Sequence, residues 1–163
     1  HPLQPFVVTI GTINGGTSSN IIANEVKLSG TVRSFSPAVR DKMANRLEEV
    51  SKAAAAVYGA ECEFEYRRCT PAVINCPEET DMLRQAVSQI FGQEALHGLE
   101  KTTGGEDFAW FLERIPGSYV RIGASAAAEG KNWPHHHERF DVDEEALVNG
   151  AAVLCQTALM FGH

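Results

Sequence analysis

With 163 residues, 44% of them apolar and 21% charged, the chain has the composition of an ordinary globular protein with room for one or two small cores. A formal charge of −7 with no basic cluster argues against a surface that replaces the counterions of a nucleic acid. No apolar run nears the roughly 20 residues that span a bilayer and no charged-then-apolar leader is visible, so the expectation is a soluble cytoplasmic protein with no membrane partner.

In chain order, the run 6–12 (Phe6, Val7, Val8, Thr9, Ile10, Gly11, Thr12) reads as a strand with nothing before it to pair with, and no initiator Met precedes it. A missing front end is the simplest expectation. Val26, Leu28, Gly30 and Val32 alternate with Lys27, Ser29, Thr31 and Arg33, the period of a strand with one face on a core. The Asn14-Gly15-Gly16 turn signal between the two predicts a hairpin with a long connection. Ser36-Pro37 then supplies an N-cap and a proline at the first helical position, and Val39, Met43, Leu47, Val50 and Val57 follow at helical spacing until Gly59. Cys62, Phe64 and Tyr66 alternate with Glu61, Glu63, Glu65 and Arg67, which predicts a third strand. The three strands are expected in one antiparallel sheet, with the helix 37–58 against Val26, Leu28, Phe64 and Tyr66. This β-β-α-β order is a partial ferredoxin-like unit.

Breaks at Thr70-Pro71 and Cys76-Pro77 lead to a second helix, acidic at its positive dipole end, with Met82, Leu83, Val87, Ile90 and Phe91 on its buried side. Thr102-Thr103-Gly104-Gly105 opens a short helix over 106–112, closed by Pro116-Gly117, and 118–123 reads as a buried strand. A flexible Ala/Gly-rich stretch over 124–130 leads to Trp133-Pro134-His135-His136-His137. The last helix, from about 143 to 161, is apolar on more than one side through Leu147, Val148, Val153, Leu154, Leu159 and Phe161, which predicts a helix sandwiched between layers. The four cysteines, Cys62, Cys69, Cys76 and Cys155, have no C-x-x-C spacing and read as reduced residues.

Imidazole is the commonest transition-metal ligand, and His135, His136 and His137 fall in a loop from which side chains can enter a cleft. Adjacent histidines cannot all face one ion, and solvated loop residues would give the same run. Glu106 and Asp107 have the composition of catalytic carboxylates, but acids in a first helical turn stabilise the dipole, and that role is the one expected of them.

Four segments together carry a resemblance. His136 followed at four residues by Phe140-Asp141 and then by Asp143-Glu144 resembles the terminal-histidine motif of the aminoacylase and hippurate-hydrolase family of dinuclear metallopeptidases. Gly104-Gly105-Glu106-Asp107-Phe108 with Pro116-Gly117 resembles the same family's helix and turn, Gly15-Gly16 with Asn20 and Ile22 its lid segment, and Gly30-Thr31-Val32-Arg33 the lid strand that follows.

The resemblance implies an α+β lid, residues 1–71, which also dimerises, and the C-terminal part of an α/β catalytic domain, residues 72–163. It implies hydrolysis of the amide bond of an N-acyl amino acid or small peptide-like substrate with two divalent ions, zinc or manganese. His136 aligns with the last metal ligand, and Asn20 with an asparagine that hydrogen-bonds substrate. A turn residue is the plainer reading of Asn20. Glu138 stands where the family has proline. The family's H-x-G-H-D segment, Glu-Glu pair and lid histidine are absent from the sequence, so no catalytic residue is assigned and the chain alone is expected to be inactive and to hold metal weakly or not at all. A noncatalytic dimerisation module that uses an exposed sheet edge is the alternative expectation.

Overall fold

The computed structural model describes residues 4–125, 130 and 132–162. It divides into two compact units, residues 1–73 with 101–110 and residues 74–100 with 111–163. The class is mixed α+β.

In the first unit, β1 (Phe6–Gly15) and β2 (Val26–Ser34) form an antiparallel hairpin in which Phe6 lies opposite Ser34 and Gly15 opposite Val26. The register shifts between Ile10 and Thr12, and just before the shift Gly30 sits opposite Ile10. A Cβ on Gly30 would run into the carbonyl of Thr9, and a backbone atom inside a ladder cannot move aside, so glycine is required there. Beyond the shift the hydroxyls of Thr12 and Ser29 meet across the strands at 2.5 Å.

Helix α1 (Pro37–Val57) starts at the predicted proline and stops where Gly59 takes φ +66°. Gly59 N–H donates to Ala56 O at 3.1 Å and Ala60 N–H to Ala55 O at 3.0 Å, the paired bonds of a Schellman motif that satisfy the last carbonyls. At the other end Ser36 contributes its backbone carbonyl, which accepts Arg40 N–H at 3.0 Å, but no side-chain cap. The helix buries Val39 and Ala44 and packs against β2, and Gln4, Phe6, Val39, Lys42 and Met43 line a small cavity.

Two expectations for this unit are corrected. Residues 61–67 keep the predicted alternation, with Cys62, Phe64 and Tyr66 half-buried between exposed neighbours, but form no ladder, and the sheet has two strands among the described residues. Alternation reports which way side chains face, and a strand also needs a neighbour for its N–H and C=O groups. Val26 and Leu28 stay 52% and 56% exposed although α1 packs on β2, so their end of the hairpin is left uncovered among the described residues. Val50 and Val57 continue the face of Val39 along α1, but 47% and 77% exposed they have no layer over them among the described residues.

In the second unit α2 (Pro77–Phe91) and α4 (Glu145–Phe161) pack on one another, with Leu83, Ala86 and Val153 as the buried residues and Gln156 Nε2 donating to Gln89 Oε1 at 2.7 Å. Met82, Val87 and Phe91 are half-buried, while Ile90 is exposed. Residues 118–123, predicted as a buried strand, are not one: they run beside 75–76, tied by Cys76 N–H to Gly117 O at 3.0 Å and by the Asn75 side chain. A side-chain amide replaces the ladder there.

The predicted sandwiching of α4 is also not met among the described residues. One side meets α2 through Val153, and Leu147, Val148, Leu154, Leu159 and Phe161 are all exposed, Leu154 at 67%. The predicted short helix is a turn at 107–108 and then α3 (Ala109–Leu112). The Ala/Gly-rich stretch predicted over 124–130 lies largely outside the described residues. No helix among the described residues is long and apolar enough to cross a membrane. The four cysteines are free thiols.

Candidate metal-ligand loop and lid segment

The histidine run folds as two consecutive turns. His137 N–H donates to Pro134 O at 3.1 Å and Phe140 N–H to His137 O at 3.0 Å, so residues 134–137 and 137–140 each close on an i to i+3 bond. His136 is the third residue of the first turn and has φ +70°, alone among the described non-glycine residues in the left-handed region. A positive φ at the third position and not the second is the hand of a type II turn, which favours glycine or asparagine there. For a residue with a Cβ it costs about 1–2 kcal/mol.

The rings on either side of His136 have partners. His137 stacks on Trp133 with centroids 4.3 Å apart and planes 11° from parallel, and its Nδ1 accepts the backbone N–H of Arg139 at 3.1 Å. The Arg139 guanidinium sits 5.5 Å from the Trp133 ring centroid. His135 meets Phe140 edge-on at 4.9 Å. A stacked pair contributes about 0.5–1.5 kcal/mol and an exposed cation–π contact about 0.5–1 kcal/mol, together comparable with the cost of the left-handed residue. His136 is exposed and has neither a ring contact nor a hydrogen bond among the described residues. Further on, Asp143 Oδ1 accepts Glu145 N–H at 3.0 Å and starts α4.

Zinc asks for about four donors. Among the described residues no three His, Cys, Asp or Glu side chains gather around a common point, so His136 offers one donor and the chain does not by itself fit a dinuclear centre.

In the first unit, Asn20 lies exposed in the connection between β1 and β2. Its Oδ1 accepts the Ser18 hydroxyl at 2.7 Å, while Ile21 N–H donates to Ser18 O at 3.3 Å. Glu106, ahead of α3, accepts Phe108 N–H on Oε1 at 3.1 Å, a bond within the turn at 107–108 and not a place in the helix's first turn. Arg33 donates to Thr103 O at 2.6 Å and Lys101 lies over Phe35, contacts that tie residues 101–110 into this unit. Reading the sequence missed Trp133 and Arg139. Two large side chains, each three residues from His136, are a signal only after the turns between them are known.

The family description Peptidase family M20/M25/M40 matches residues 3–160, and the chain belongs to that family. Over 163 residues it is 34% identical to thermostable carboxypeptidase 1 of Saccharolobus solfataricus, covering 99% of this chain and 41% of that protein. Over 158 residues it is 34% identical to the N-acetylcysteine deacetylase of Bacillus subtilis, covering 97% and 40%. Among solved structures, the Bacillus subtilis YxeP protein, a dinuclear metal binding peptidase from the M20 family, superposes with a TM-score of 0.86 at 31% identity over 96% of this chain and 42% of that one. The chain therefore spans about two fifths of the length of these relatives.

Proposed function

We propose that this chain works as part of a cytoplasmic, homodimeric, metal-dependent amidohydrolase that cleaves the amide bond of N-acyl amino acids or small peptide-like substrates. Residues 1–71 act as a lid that also carries the dimer contact, and residues 72–163 close the catalytic domain. The observation that carries this reading is the isolation of His136: both neighbouring rings have partners, and the imidazole between them, without any among the described residues, stands at the family's histidine motif. The names of the deacetylase and carboxypeptidase relatives support the substrate class, and the dinuclear neighbour supports two metal ions, which we take to be divalent zinc or manganese.

Bound divalent ions supply a lowered pKa for water and a polarised carbonyl. This chain's contributions are an imidazole donor at His136 and an amide donor at Asn20, whose Nδ2 has no partner among the described residues while Oδ1 is held by Ser18. The remaining ligands and the general base lie in the rest of the protein, so the chain alone is inactive. That remainder also covers the exposed apolar side of α4.

The test is His135→Ala, His136→Ala and His137→Ala in the whole protein, with metal content, melting temperature and hydrolysis of an N-acetyl amino acid measured for each. His136→Ala should lose roughly tenfold or more in metal affinity or activity without unfolding, at least the scale of damage to a group that only supports a ligand. If His136→Ala keeps both while a neighbour fails, the ligand is the neighbour. If all three are silent, the reading of the loop falls.

A further inference from the structure

We propose that Trp133, His137 and Arg139 are positioning residues that hold His136 in its left-handed turn and so present its imidazole for ligation. The inference rests on the reading of His136 as a metal ligand, and names what that ligand needs from its own loop.

A left-handed histidine persists only where its surroundings over-determine it. Here one residue precedes the turn and another ends it, and their rings meet face to face: Trp133 and His137, 4.3 Å apart and nearly parallel. The stack shuts the turn from outside while the His137 N–H to Pro134 O bond shuts it from inside. His137 in turn fixes Arg139 by accepting its backbone N–H on Nδ1, and Arg139 returns its guanidinium to the Trp133 ring. The three residues form a closed circuit around the loop. His136 lies inside the circuit in sequence but takes no part in it.

With one nitrogen bonded within the loop and one face against an indole, His137 is suited to supporting a ligand. A ligand preorganised in this way loses less freedom when the ion binds.

The experiment uses the whole protein with Zn²⁺ as the probe, its dissociation constant measured by competition with a chromophoric chelator, together with the melting temperature of the metal-free protein. The variants are Trp133→Leu, Trp133→Phe, His136→Ala and the double variant Trp133→Leu/His136→Ala. Trp133→Leu should weaken Zn²⁺ binding about tenfold or more, the loss expected when a ligand's support is removed. Trp133→Phe, which can still stack on His137, should recover most of that loss. The double variant should bind no more weakly than His136→Ala alone, because the indole acts only through that imidazole. Wild-type affinity in Trp133→Leu alongside a damaged His136→Ala overturns the proposal and leaves the ligand assignment standing. Losses that multiply in the double variant also overturn it, since Trp133 would then act elsewhere. Wild-type affinity in His136→Ala removes the ligand assignment and this proposal with it.

Discussion

The side-chain amide of Asn75 takes both backbone groups of Tyr119: Tyr119 N–H donates to Asn75 Oδ1 at 2.9 Å and Asn75 Nδ2 donates to Tyr119 O at 2.9 Å. Each bond of this kind contributes about 0.5–1.5 kcal/mol, and exposure to water puts both at the low end. Asn75→Ala should therefore lose about 1 kcal/mol. Asn75→Asp should lose at least as much, because a carboxylate faces the Tyr119 carbonyl with no proton to give. Urea unfolding checks both, and an Asp variant as stable as the parent would mean the pairing contributes nothing.

Gly59 ends α1 at φ +66° with open space around the position where a Cβ would stand. The cost of a side chain there is purely conformational. Gly59→Ala should lose about 1 kcal/mol, and Gly59→Asn less, because asparagine tolerates the left-handed region. Thermal melts of the two variants give the order. Equal losses would place the cost elsewhere than in the backbone.

The parts legible in the sequence were those set by local chemistry. Pro37, Pro77 and Gly59 mark helix ends through restrictions that hold in any protein, and the alternation from Val26 to Arg33 made a strand that pairs with its chain neighbour. What failed depended on partners. The alternation at 61–67 and the apolar run at 118–123 gave correct or partial faces but not the neighbouring strand, and the doubly apolar α4 pointed to a layer that the described residues do not supply. At the candidate site, the motif singled out His136 but gave no sign of its left-handed backbone. Turn chemistry is written in glycine and asparagine, and histidine carries no such mark.

Glu65 and Arg67 join through Arg67 Nε to Glu65 Oε1 at 2.6 Å, which two residues spaced by two achieve where the chain is extended and their side chains share a face. The hydrogen bond from Arg67 first, and its charge second, hold the Glu65 carboxyl below the ordinary glutamate value. A lowered pKa contributes stability that is present above the unfolded value and is lost as pH falls through the folded one. Both groups are fully exposed, so the effect should show in titration and hardly in melting. Carboxyl NMR should find the Glu65 midpoint moving up in Arg67→Ala and, partially, in about 0.5 M salt. An unmoved midpoint in Arg67→Ala would mean that residues 61–67 are not held extended in solution.

The left-handed backbone of His136 separates two roles that a substitution usually confounds. Replacing it with alanine removes the imidazole but keeps a Cβ at φ +70°, whereas glycine removes the imidazole and the steric cost together. The exposed side chain has neither a ring contact nor a hydrogen bond to lose among the described residues. His136→Gly should therefore be more stable than His136→Ala by about 1 kcal/mol, with the higher melting temperature. Both variants should lose metal affinity to the same extent, because neither offers a donor. Calorimetry of the metal-free whole protein measures the first effect and chelator competition the second. If alanine proves the more stable, the turn at 134–137 does not hold a left-handed third residue in solution. If glycine is the more stable but binds metal as the parent does, the turn stands and the ligand must be sought in a neighbouring histidine.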